Sequence, residues 1–98
     1  MIKQIYWQFL DEVDGVSEYV DSAAKCKEKN REMASMYIDM AKTEVSHAEK
    51  LLDAMKKIAH NMDDESEHAA TERGAADILV DVMNGQLVKA RAMMMAFE

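Results

Sequence analysis

Proline is absent from this sequence, and glycine occurs only as Gly15, Gly74 and Gly85. The two strongest helix breakers are therefore nearly missing, while alanine, methionine, glutamate and lysine, all good helix formers, dominate. An all-α chain follows. Cysteine is also scarce. Cys26 has no second thiol with which to staple the chain, which suits a reduced compartment, and the expected location is the cytoplasm. It lies in KCKEK, where lysines could lower its pKa, and reads as an ordinary reduced thiol. No long hydrophobic run exists: AMMMAF, 92–97, is far too short to cross a bilayer. The segment MIKQIYWQFLDEVD turns acidic too early for a signal peptide. Positive charge is in deficit, with 12 Lys and Arg against 19 Asp and Glu. That balance argues against a nucleic-acid partner, which needs a basic surface, and favours attraction of cations.

What is present is periodic. Apolar residues at 2, 5, 9, 13, 16, 20 and 23 predict an amphipathic helix from about Ile2 to Lys27. The polar run KCKEKNRE breaks it, with Asn30 as a cap or left-handed turn residue. Met33, Met36, Met40, Leu51 and Ile58 predict the buried face of a second helix, about Glu32 to His60, with Val45 pointing outward. After NMDD, Asp64 and Glu67 form a capping box for a third helix, about 64–97. Its buried face carries Ala75, Leu79, Val82, Met83, Ala90, Met93 and Phe97. The expectation is one helical domain over 1–98, an antiparallel up-down-up three-helix bundle with room for a fourth helix from another chain. There is no internal repeat. The methionines at core spacing read as gap fillers, and Met93 to Met95 as a possible contact with another copy.

The stretch EVSHAEKLL, 44–52, is out of keeping with a plain amphipathic pattern. With Met40 at zero and about 100° per residue, Glu44 falls at roughly 40° and His47 at roughly −20°, inside the apolar stripe. On the first helix Glu12 lies at the edge of the stripe, while Asp11, Asp14, Glu18 and Asp21 point away. Glu12 and Glu44 are equally far from the first turn, so an antiparallel hairpin brings Glu12, Glu44 and His47 to one level. Interior carboxylates without partners are costly. A cation offsets that cost, and carboxylates with an imidazole suit iron, manganese or zinc.

At these residues the chain resembles the ferritin-like superfamily, rubrerythrin-type members in particular. The matching pattern is a glutamate seven residues before a tyrosine, E12-VDGVSE-Y19, followed by Glu-x-x-His in MYIDMAKTEVSHAEKLL. The resemblance implies a carboxylate-bridged di-iron site, with di-manganese as the alternative. It makes Glu12 a terminal ligand, Glu44 a bridging carboxylate and His47 an imidazole ligand. It further implies ferrous oxidation or peroxide reduction. A full four-helix member repeats the ligand set on its third and fourth helices, whereas this chain supplies half of it. The expectation is a homo-oligomer, at least a dimer, in which two chains share the site. A second Glu-x-x-His, Glu65 to His68, with Glu72 on the same face, offers weaker candidates. First-turn acidity and capping account for these residues, and they become ligands only if the chains pair differently. The competing reading is a metal-free structural or adaptor bundle acting through protein contacts.

Overall fold

The computed structural model describes residues 1–97. Three helices follow one another: α1, Ile2–Cys26; α2, Arg31–Ala59; and α3, Glu67–Phe97. Their order along the chain and their mutual contacts make them antiparallel neighbours. Tyr19 stacks on Tyr37 near the first turn, while Glu12, further from it, meets His47. Arg91 likewise reaches back from α3 to Glu49 at 2.9 Å. The all-α three-helix bundle is the one the periodicity predicts.

Each connection is closed by side chains that satisfy helix-end donors. The amides of Lys29 and Asn30 donate to the Cys26 carbonyl and end α1. Asn30 then caps α2 from an extended backbone (φ −152°), its Oδ1 accepting from the Met33 amide at 3.0 Å. Asn30→Ala leaves that donor unsatisfied, and the expected loss is about 1 kcal/mol in urea unfolding. The second connection departs from expectation. Asp64 accepts from the Ser66 amide at 2.9 Å in a turn, and Ser66 Oγ caps α3 through the Ala69 amide at 3.1 Å. The helix therefore starts at Glu67, two residues later than Asp64 capping implies. The Arg73 guanidinium holds the turn closed by donating to the carbonyls of Asn61 (3.1 Å) and Asp64 (2.6 Å).

The core differs from the sequence expectation in which stripe of α2 it uses. Ala34, Ile38, Ala41, Val45, Ala48, Leu52 and Met55 are buried, so Val45 points inward. Met33, Met36 and Met40 are exposed, Met36 by 46%. The alanines at 34, 41 and 48 explain the choice, because small side chains let α1 and α3 approach the α2 backbone closely. On α1 the core positions are Phe9, Val16, Val20 and Ala23; on α3 they are Ala76, Val80, Met83, Leu87 and Ala90. Ala75, Val82 and Met93, expected inside, are exposed instead, one step around the helix from this seam. Among the described residues no charged side chain is fully buried.

Candidate metal site

Glu12 stands near the middle of α1, and Glu44 and His47 stand one turn apart on α2. A residue and its i+3 neighbour share a helix face, so the α2 pair points to the same side. The antiparallel pairing brings Glu12 level with it. Each residue offers one ligand atom, and these atoms lie within 4.8 Å of one another. His47 Nδ1 is 3.3 Å from Glu12 Oε2. The cluster sits at the surface of the single chain, with Glu12 and Glu44 half-buried and the His47 side chain 48% exposed.

The electrostatics show two acids competing for one proton. The Glu44 carboxyl is pushed up from 4.5 to about 7. Its hydrogen bond to Glu12 is the largest cause, followed by partial burial and the negative charge of Glu12, while His47 pulls in the opposite direction. Like charges in one place disfavour double ionisation, and the pair retains a proton that an isolated glutamate would have lost. A cation held by both carboxylates would do the work of that proton with more charge. The donor set of two carboxylates and an imidazole fits iron or manganese.

Other residues singled out by the sequence lie elsewhere. Tyr19 is not in the cluster; its ring stacks on Tyr37 with centroids 6.2 Å apart. Glu65 precedes α3, so Glu65 and His68 do not share a helical turn. Glu72 lies in a small cleft beside Arg73, Asn61 and Ile58. Among the described residues, only Glu12, Glu44 and His47 form a group able to hold a metal ion. α3 contributes nothing to it.

Gly15 was not legible as part of the site. A Cβ added there would lie 3.2 Å from Glu44 Oε2 and 3.3 Å from its Cδ and Cγ. The available signal was a glycine inside a helix, which costs ~1 kcal/mol relative to alanine. Gly74 and Gly85 carry the same signal with nothing within 4 Å of an added Cβ, so sequence alone could not single out Gly15.

Rubrerythrin is the family whose model matches the sequence, over residues 8–96, a span that includes all three cluster residues. The chain belongs to the rubrerythrin family. Neither a curated protein nor a solved structure matches it. As a rubrerythrin-family chain it carries the ferritin-like, di-iron type of ligand cluster on α1 and α2. No helix among the described residues is long and apolar enough to cross a membrane.

Proposed function

We propose that two copies of this chain pair face to face across the Glu12, Glu44 and His47 clusters and together form one carboxylate-bridged two-metal centre. Iron is the expected metal and manganese the alternative. A bound iron pair would supply the electrons with which dioxygen or peroxide is reduced, the ferrous ions being oxidised to ferric. In this reading Glu44 would serve as the shared carboxylate and Glu12 and His47 as the further ligands, and the same residues from the second copy would complete the set.

The observation that carries the proposal is the α2 face on which the cluster lies. Met33, Met36 and Met40 are exposed there, in line with Glu44, His47 and Leu51. Apart from Met36, whose counterpart Met55 lies in the chain's own core, the stripe is symmetric about the point midway between Val45 and Ser46. An antiparallel second α2 centred there sets Met33 against Ile58, Tyr37 against Ala54, Met40 against Leu51, and Glu44 against His47. Apolar positions meet apolar ones, and each carboxylate meets an imidazole, as a two-fold interface requires. The adjoining stripe of α1 runs through Gln4, Gln8, Glu12, Gly15, Tyr19, Ser22 and Cys26. Glu12 is its one charged member. In a chain with 31 charged residues, the centre line of this two-helix face carries only the carboxylates of Glu12 and Glu44. Glu32 and Asp39 lie along the edge beside Met36 and Met40, a distribution that suits a covered surface with a charged rim.

Size supports the same conclusion. The bundle measures 58 × 18 × 15 Å, with a radius of gyration of 16.4 Å, where a compact domain of this length has about 12.6 Å. Its accessible surface is 6651 Å², whereas a monomer of this mass exposes about 5,650 Å². The excess of about 1,000 Å² is close to what one partner contributes to a stable interface.

Placing a charge at the seam separates assembly from fold. Met40→Glu, at an exposed site away from the chain's own core, is expected to leave helicity intact. In sedimentation velocity it should convert pairs to monomers and abolish the ferrous-oxidation absorbance that wild type develops in air. A wild-type chain that sediments as a monomer at micromolar concentration, or a monomeric Met40→Glu variant with full oxidation activity, contradicts the proposal.

A further inference from the structure

We infer that Gly15 is a positioning residue for the metal site: its missing side chain is the seat in which the Glu44 side chain lies against α1. The inference rests on the reading of Glu44 as a ligand and adds a residue that contributes no donor atom. Gly15 lies well inside α1, in ordinary helical backbone, since no described glycine has a positive φ. It is far from either cap and needs no left-handed backbone, so conformational freedom does not explain it. The three glycines differ in what an added Cβ would meet. At Gly74 and Gly85 nothing lies within 4 Å. At Gly15 the Cβ would press on Cγ, Cδ and Oε2 of Glu44 at 3.2–3.3 Å, tighter than ordinary van der Waals contact. Glu44 thus packs on the α1 backbone a few tenths of an ångström closer than a methyl group at position 15 would allow, with its carboxylate beside that of Glu12, which stands one turn from Gly15 on α1. Any side chain at position 15 pushes Glu44 outward by a few tenths of an ångström. Metal centres require ligand placement of about that accuracy.

The role separates affinity from stability. Alanine restores helix propensity at all three positions. Gly74→Ala and Gly85→Ala are expected to raise the melting temperature and leave Mn²⁺ affinity unchanged. Gly15→Ala is expected to melt no lower than wild type in the absence of metal, yet to bind Mn²⁺ roughly tenfold more weakly by titration calorimetry. A merely structural glycine cannot move those two quantities in opposite directions. The seat itself is read without metal. In wild type, the Gly15 hydrogen that takes the place of Cβ should give a strong nuclear Overhauser effect to Glu44 Hγ. Loss of that effect in metal-free wild type, or wild-type Mn²⁺ affinity in Gly15→Ala, overturns the inference. If wild type binds no Mn²⁺ while the Overhauser effect is strong, the ligand reading has failed and the positioning role fails with it, although the packing stands.

Discussion

Glu44→Gln should cost the protein its metal while leaving its fold unharmed. Glutamine keeps the shape of glutamate and can still donate to Glu12, as the protonated Glu44 carboxyl does. It cannot carry the negative charge that a bridging ligand needs. Changes to residues that merely support a ligand weaken metal affinity ~10–100-fold, so loss of a bridging ligand should exceed ~100-fold. Without metal, the substitution removes a like charge from beside Glu12, and stability should hold or rise. Wild type should gain about 2.7 kcal/mol when free metal exceeds Kd by about a hundredfold, because only the folded state binds it. For a domain of this size that corresponds to roughly 10–20 °C in Tm. Melting of both proteins with and without Mn²⁺ checks the expectation, and equal gains in the two contradict it.

Acidity should act in opposite directions on the metal-free and metal-bound protein. The Glu44 carboxyl is raised from 4.5 to about 7 on folding, so between these values the folded state holds a proton that the unfolded state has released. Stability of the metal-free protein from this group is therefore full below about pH 4.5. It falls as pH rises towards about 7 and levels off above it. Most proteins stabilised by paired carboxylates show the reverse slope. Metal must displace the same proton, so affinity should climb by about tenfold per pH unit for one proton released, then flatten above about 7. Calorimetry of Mn²⁺ binding from pH 5.5 to 8 in buffers of different ionisation enthalpy reports both the affinity and the proton release. Glu44→Gln should flatten the metal-free stability profile over the same range.

The helices and the site level were legible because they follow from spacing. Apolar positions recur every three or four residues, and Glu12 and Glu44 stand equally far from the first turn. The inner face of α2 was not legible, for a physical reason. That helix has two adjacent apolar stripes, one rich in alanine and one in methionine, and hydrophobicity alone favours methionine as core. The fold chose Ala34, Ala41, Ala48 and their neighbours because close helix approach gains more contacts than methionine bulk does. Helical spacing showed that Glu44 and His47 share the methionine stripe, but not that this stripe is exposed in the single chain. The start of α3 was similarly open, since Asp64 and Ser66 can both cap, and the anchoring of the turn by Arg73 depends on tertiary contact.

The central claim is that one metal centre is built by two chains. Crystals grown with Mn²⁺ and measured at the manganese absorption edge locate the ions directly. The expected result is two anomalous peaks close together and related by a two-fold axis, each contacted by Glu12, Glu44 and His47 side chains drawn from both copies. Peaks confined to one chain, peaks at Glu65, His68 or Glu72, or no peak at the Glu44 carboxylates would contradict it.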